Sequence, residues 1–164
     1  MRDGWSALTL ALLRGNLVIA RLLLVAGATV DVGMGEDGFT VLMMAAVHNL
    51  LDGARLLFEF RANPNVGNKF GGTALHLAAM QGHVAMTRLL VDHGAALNVQ
   101  DVNGSTALHF AAREGKIEVV RFLLDADAAI DLEDKKGNTS AKVALLNKHV
   151  PTLELLLRHG ASAH

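Results

Sequence analysis

The stretch GGTALHLAAMQGH, residues 71–83, is followed by a near copy, GSTALHFAAREGK, at residues 104–116. Two explanations are open for a segment written twice at a distance of 33 residues. It could be a duplicated active site, or a building block that stacks on copies of itself. The same spacing along the rest of the chain would favour the building block, because stacked units recur at a fixed period.

The spacing extends over the whole sequence of 164 residues. Stepping outward from Gly71 and Gly104, equivalent glycines stand at Gly4, Gly38 and Gly137, at intervals of 34, 33, 33 and 33 residues. The longer first interval places one extra residue near positions 33–35. We therefore predict a single domain, residues 1–164, that contains five repeats. Their approximate boundaries are 1–34, 35–67, 68–100, 101–133 and 134–164.

Each repeat carries two short helical patterns, such as residues 73–81 and 84–93 in the third repeat. Thr73 and Thr106 precede a pattern at the position where a hydroxyl can accept a hydrogen bond from a free N–H of the first turn. A helix pair of this length cannot bury its apolar side alone, so neighbouring repeats must stack. The sequence therefore predicts an all-α fold in which the repetition serves packing.

Glycine follows most of these helical patterns, as a left-handed helix end requires. Such glycines are Gly15, Gly82 and Gly115 after the first helix, and Gly27, Gly94 and Gly160 after the second. Arg61 and Asp127 occupy the second of these positions in repeats two and four. If the backbone is left-handed there, each side chain carries strain that glycine would avoid.

These features resemble the ankyrin repeat. The family pattern, D-x-x-G-x-T-P-L-H-x-A-A followed by G-H, V-x-x-L-L and G-A-x-x-N, is met closely by repeats three and four, and the resemblance covers all five. The usual proline is absent throughout, and Thr9, Met43 and Lys142 replace the usual histidine in repeats one, two and five. The resemblance implies an all-α ankyrin-repeat solenoid of helix-turn-helix units joined by β-hairpin-like fingers.

The resemblance also implies a function. Ankyrin repeats bind a protein or peptide partner on their fingers and on the exposed ends of the first helices, so the chain is expected to be an adaptor or recognition module. The alternative is a structural spacer of a longer ankyrin array with no partner of its own. In the family, His76 and His109 are structural, with the ring bonded to the nearby Thr and to the adjoining turn.

Composition argues against several other functions. Lys and Arg number 15 against 16 acidic residues, and the pI is near 6.7, so neither nucleic acid nor an anionic membrane is an expected partner. Arg14 and Arg21 interrupt the apolar N-terminal segment, which is too short between charges to span a bilayer. Cysteine is absent, and we expect an intracellular, cytoplasmic protein.

No motif of catalytic chemistry stands in the sequence. There is no G-x-S-x-G nucleophile motif, and His76 and His83 lack the spacing of a helical zinc site. The segment GMGEDG, residues 33–38, lacks the lysine of a phosphate-binding loop, and we interpret it as the hairpin that absorbs the extra residue. The prediction is therefore no enzyme, no metal and no cofactor.

The family's contact positions, carried over to this chain, predict a partner-binding surface. Its centre is an apolar strip formed by Trp5, Leu13, Phe39, Val47, Phe70 and Met80. Flanking charged and polar residues would set the register of a bound peptide. The complete candidate surface comprises Trp5, Leu13, Phe39, Val47, His48, Lys69, Phe70, Met80, Gln81, Arg113 and Glu114. The alternative is that Trp5 and Phe39 pack on the neighbouring hairpin as core residues.

The first helix pair, ALTLALLRGNLVIARLLLVAGA at residues 7–28, is among the most apolar parts of the chain. A solenoid needs polar faces at its two ends. We therefore expect either that the chain is part of a longer protein with further ankyrin repeats, or that its ends self-associate.

Overall fold

The computed structural model of the chain describes residues 6–162, which contain ten α-helices. They are α1 (Ala7–Leu13), α2 (Leu17–Val25), α3 (Val41–Val47), α4 (Leu51–Glu59), α5 (Ala74–Gln81), α6 (Val84–Asp92), α7 (Ala107–Arg113), α8 (Ile117–Asp125), α9 (Ser140–Leu146) and α10 (Val150–Arg158). Odd-numbered helices contact each other in one row and even-numbered helices in a second row. The expected all-α solenoid is confirmed. The repeat boundaries stay a prediction, although each helix pair lies within one of them.

The inner helices α1, α3, α5, α7 and α9 begin where a hydroxyl side chain precedes them. The Oγ1 atom of Thr40 accepts a hydrogen bond from the backbone N–H of Met43 at 3.2 Å, and Thr106 does so from His109 at 3.4 Å. Thr73 instead places its Oγ1 2.9 Å from Nδ1 of His76. Each such cap contributes about 1 kcal/mol to helix stability.

The helices end in left-handed residues at the predicted positions. All six predicted glycines have positive φ, and so do Arg61 (φ 63°) and Asp127 (φ 64°). The predicted register is therefore confirmed at both non-glycine positions. Asn49 (φ 54°) and Lys148 (φ 62°) are left-handed as well, after the inner helices of repeats two and five.

The core uses small apolar side chains on the inner helices and large ones on the outer helices. Ala78 and Ala111, on inner helices, are fully buried, which lets those helices approach closely. Leu90 and Leu123, on outer helices, are equally buried and supply the volume between rows. A leucine at such a position contributes about 2–5 kcal/mol compared with alanine.

Hairpin fingers project between successive helix pairs. In finger 4, residues 101–105, the backbone N–H of Asp101 donates to the carbonyl oxygen of Ser105 at 3.0 Å. The Asp101 carboxylate closes the turn by accepting from the N–H groups of Asn103 and Ser105, both at 2.8 Å. Finger 3 (residues 68–72) and finger 5 (residues 134–138) form the same turn around Asn68 and Asp134.

Finger 2, residues 34–39, differs because Met34 occupies the position of Asp101. Met34 and Phe39 exchange two backbone hydrogen bonds, at 2.8 and 3.1 Å, across four intervening residues where the other fingers have three. The interpretation of residues 33–38 as the hairpin with the extra residue is confirmed. The longer turn has no carboxylate to close it.

Candidate partner-binding surface

Three members of the apolar strip lie at the ends of inner helices. Leu13 and Val47 are the last residues of α1 and α3, and Met80 is the last but one of α5. All three residues are half-buried, so each leaves part of its surface to solvent. The three residues therefore lie at the ends of neighbouring inner helices, α1, α3 and α5.

The aromatic members of the strip differ in exposure. Phe70, at the tip of finger 3, has 53% of its surface exposed. Phe39 is half-buried and packs against the hydrophobic core, as the alternative interpretation of this ring expects. Trp5 lies outside the described residues. Phe70 is thus the most exposed aromatic ring of the candidate surface within residues 6–162.

Val102 is a further exposed apolar residue that the predicted surface does not include. It lies at the tip of finger 4 with 46% of its surface exposed, and its backbone N–H donates to the carbonyl oxygen of Phe70 at 2.8 Å. Because valine there is equivalent to Lys69 in finger 3, the repeat pattern alone did not mark the position as apolar. This backbone hydrogen bond holds Phe70 and Val102 next to each other on adjacent fingertips.

Successive fingertips are joined in the same way along the solenoid. The N–H of Lys69 donates to the carbonyl oxygen of Asp37 at 3.0 Å, and the N–H of Lys135 to that of Asn103 at 2.8 Å. The exposed tips therefore form a row of fixed order rather than separate loops. Glu36 and Asp37 make the tip of finger 2 acidic, Lys69 adds a basic group beside the apolar pair, and Lys135 and Lys136 make the tip of finger 5 basic.

The polar members of the candidate surface follow the apolar strip at the helix ends. His48, Gln81, Arg113 and Glu114 are all exposed. Nε of Arg113 lies 3.3 Å from the Glu114 carboxylate, and its guanidinium carbon lies 4.4 Å from the centre of the Phe110 ring. These contacts hold the Arg113 side chain across the helix end, and exposed ion pairs of this kind contribute little to stability.

Two histidines, each in the following repeat, form hydrogen bonds with backbone carbonyl groups at the inner-helix ends of this surface. Nε2 of His83 lies 3.1 Å from the carbonyl oxygen of Val47, and Nε2 of His149 lies 2.9 Å from that of Arg113. Both carbonyl groups belong to the last residue of an inner helix, where no helical N–H is left to bond them. The ends of α3 and α7 are therefore fixed by side chains more than thirty positions away.

His76 and His109 have the structural role that the resemblance implied. Nδ1 of His76 accepts a hydrogen bond from the N–H of Thr73 at 3.1 Å, and Nε2 lies 3.0 Å from the carbonyl oxygen of Val99. His109 bonds to Thr106 and Asn138 in the same manner. Burial lowers the pKa of both imidazoles, and the carbonyl hydrogen bonds and nearby carboxylates offset this only in part.

Within residues 6–162, no group of three His, Asp or Glu side chains is arranged to hold a metal ion. In the same range, no helix is both long enough and apolar enough to cross a membrane. The candidate surface presents apolar side chains at the helix ends and charged side chains at the fingertips.

Stacked helix pairs with projecting fingers define a helical repeat protein of the solenoid class. A family model of ankyrin repeats matches the chain in three overlapping copies, at residues 1–67, 56–134 and 95–164. The chain belongs to the ankyrin repeat family. No match was found among curated proteins. Ankyrin repeats are generally protein–protein interaction modules and generally lack enzymatic activity.

Proposed function

We propose that this chain binds a protein or peptide partner through the apolar strip, with Val102 as an additional contact. The observation that carries the proposal is the pair formed by Phe70 and Val102, exposed at 53% and 46% on neighbouring fingertips. A large apolar side chain held on a rigid backbone is a typical anchor of an interface, because little conformational entropy is lost on binding.

The half-buried row of Leu13, Val47 and Met80 supports the same proposal. An extended or helical peptide laid across the fingers would cover this row with its apolar side chains and reach the fingertips at its edge. The contact would then span three helix pairs, which exceeds the scattered single apolar residues common on protein surfaces.

The fingertip charges give the bound peptide a direction. Basic residues of the partner would lie near Glu36 and Asp37, and acidic residues near Lys135 and Lys136. Lys69, Arg113 and Glu114 lie between these ends and set the register. Such charges affect the rate and specificity of association more than its affinity.

To test this, peptides that bind the purified protein are selected from a displayed library of random sequences. The affinity of each selected peptide is then measured by titration against the wild type and single variants. Phe70→Ala should weaken binding at least tenfold, or about 1.4 kcal/mol. Val32→Ala, which truncates a valine outside the strip with 58% of its surface exposed, is the control and should leave affinity unchanged. Thermal unfolding checks that each variant is folded.

Phe39→Ala is a second test of the strip. It should also weaken binding at least tenfold, but because the ring packs partly on the core, it should lower the melting temperature as well. Selected peptides that bind Phe70→Ala and Phe39→Ala as tightly as the wild type would place the contact elsewhere. Failure to select any peptide, together with no captured protein partner, would favour the spacer function.

A further inference from the structure

An open cleft lies between the first two helix pairs, beside the end of α1. It has a volume of about 350 Å³, and the side chains of Leu12, Leu17, Leu50 and Leu51 give it apolar walls. Among the described residues that line it, Asp52 alone carries a charge. Clefts of this volume, apolar with a few polar groups, are typical sites of small ligands.

The cleft lies at a place that side chains fill in later repeats. The residues that precede the outer helices α4, α6, α8 and α10 are, in order, Leu50, His83, Lys116 and His149. A Cβ at Gly115 would lie 2.6 Å from Nδ1 of His149, so the imidazole ring rests on that glycine. At the equivalent Gly15 a Cβ would meet no atom within 4 Å. Leu50 therefore leaves open, above Gly15, the space that His149 occupies above Gly115.

The carbonyl group at the end of α1 also lacks the hydrogen bond that its equivalents have. Nε2 of His83 bonds the carbonyl oxygen of Val47 at 3.1 Å, and Nε2 of His149 bonds that of Arg113 at 2.9 Å. Leu13 occupies the same position in the first repeat, and no residue within 6–162 donates a hydrogen bond to its carbonyl oxygen. A leucine side chain has no donor to offer it. The cleft thus combines apolar walls with an acceptor that lacks a donor.

The later repeats show which chemical group fits such a place. At two of the junctions the group is an imidazole, which lies flat against the start of the neighbouring loop and points Nε2–H at the carbonyl oxygen. The carboxylate of Asp52 on the wall of the open cleft favours a group that carries N–H over an anion. Both observations indicate an imidazole ring as the occupant.

We propose that the cleft binds a histidine side chain of the protein partner, with its Nε2–H donating to the carbonyl oxygen of Leu13. Leu12 and Gly15, close to Leu13 on either side, line the cleft, and Leu13 itself is a member of the apolar strip, so the two sites adjoin. The source of the histidine rests on the proposed function, whereas the chemistry of the cleft rests on its own geometry.

The test titrates the full chain with N-acetylhistidine methylamide and follows the backbone amide signals by NMR. At about pH 8 the ring is neutral, because the ordinary pKa of histidine is about 6.5. The signals of Gly15 and Asn49 should shift and saturate with roughly millimolar affinity, as expected for so small a ligand. The signal of Gly115 should stay unchanged, since His149 already fills that place. The Nε2-methylated analogue has no donor and should bind at least about tenfold more weakly.

Leu50→His tests the cleft from within. The new ring should occupy the space above Gly15, as His149 does above Gly115, and abolish binding of N-acetylhistidine methylamide without lowering the melting temperature. Phe70→Ala should bind this compound as the wild type does, so that failure of the cleft and failure of the apolar strip are distinguished. In peptides selected on the wild type, replacement of a histidine by alanine should weaken binding at least about tenfold. The same replacement should have no effect on binding to Leu50→His.

Three results would overturn the proposal. The first is the absence of a saturable shift at Gly15, and the second is equal binding of the methylated and unmethylated compounds to the wild type. Both are measured on the unaltered chain and do not depend on the folding of a variant. The third is a set of selected peptides whose affinity no histidine affects, which would leave the partner without a side chain in the cleft.

Discussion

The Nε2 atom of His76 lies 3.1 Å from the carbonyl oxygen of Ser105, so one imidazole joins the third repeat to the finger of the fourth. His109 repeats the arrangement one unit later, with Nε2 3.0 Å from the carbonyl oxygen of Asn138. Both rings accept a backbone N–H at Nδ1. Protonation of Nδ1 would set a donor against a donor, so the neutral ring is the form that stabilises the stack.

We expect the stability of the protein to fall as the pH is lowered below about 6.5, the ordinary pKa of histidine. Because burial lowers the pKa of His76 and His109 in the folded state, the unfolded chain binds protons more readily between that value and the lowered pKa. The contribution is complete above this window and is lost as the pH falls through it. Urea unfolding at several pH values on both sides of about 6.5 measures how steeply the free energy of unfolding changes with pH.

The double variant His76→Leu/His109→Leu is the comparison for this slope. It should be less stable at neutral pH, because the N–H groups of Thr73 and Thr106 lose their acceptors, and its stability should depend less on pH. His48→Gln controls for the removal of an exposed imidazole. If the free energy of unfolding depends equally on pH in the wild type and the double variant, His76 and His109 are not the cause of the pH dependence.

Replacement of Arg61 or Asp127 by glycine should stabilise the protein by up to ~1 kcal/mol. Both residues hold φ near 63°, where a side chain is strained and glycine is not. Gly94→Ala is the matched reverse change: φ is 86° and a Cβ there would meet no atom within 4 Å, so the loss should reflect backbone strain alone. Denaturant midpoints of the three variants test the prediction, and a lower midpoint for both glycine variants would contradict it.

Ser140→Ala should raise stability. Ser140 is the first residue of α9, and its buried Oγ has no hydrogen-bond partner among the described residues, which costs about 1–3 kcal/mol relative to a solvated hydroxyl. Alanine already fills the equivalent positions Ala74 and Ala107. Thr139→Ala is the control of opposite sign, because Thr139 Oγ1 caps α9 at the N–H of Lys142. The prediction fails if calorimetry gives Ser140→Ala a lower melting temperature than the wild type.

Asn98→Ala should destabilise the protein by about 1 kcal/mol. Oδ1 of Asn98 accepts a hydrogen bond at 2.9 Å from the N–H of Ala129, which ties the third repeat to the fourth. Asp131 makes the equivalent contact to Ser162 with a carboxylate at 2.8 Å, so Asn98→Asp should retain the tie. Chemical denaturation of Asn98→Ala and Asn98→Asp distinguishes loss of the acceptor oxygen from loss of the amide group. If both variants are destabilised equally, Asn98 does not act as the acceptor for the N–H of Ala129.

The sequence by itself determined the features that depend on near neighbours along the chain. Helix caps, left-handed helix ends and finger turns each join residues within about five positions, so residue type and spacing suffice to predict them. This is why the left-handed backbone at Arg61 and Asp127 was predicted correctly, and why the segment at residues 33–38 was correctly predicted to be a longer hairpin, which the structure forms as finger 2. The roles of His76 and His109 came from the family resemblance, since their partners lie in the next repeat.

The tertiary structure decided which side chains are covered, because the residues that cover them lie about one repeat away. Phe39 and Phe70 are both aromatic and both lie in a finger, yet one packs on the core while the other stands exposed at a tip. Leu22 and Leu56 occupy one repeat position, and only Leu56 has a preceding helix among the described residues to bury it. A periodic pattern assigns the same environment to equivalent residues, and only the assembled stack distinguishes its end from its interior.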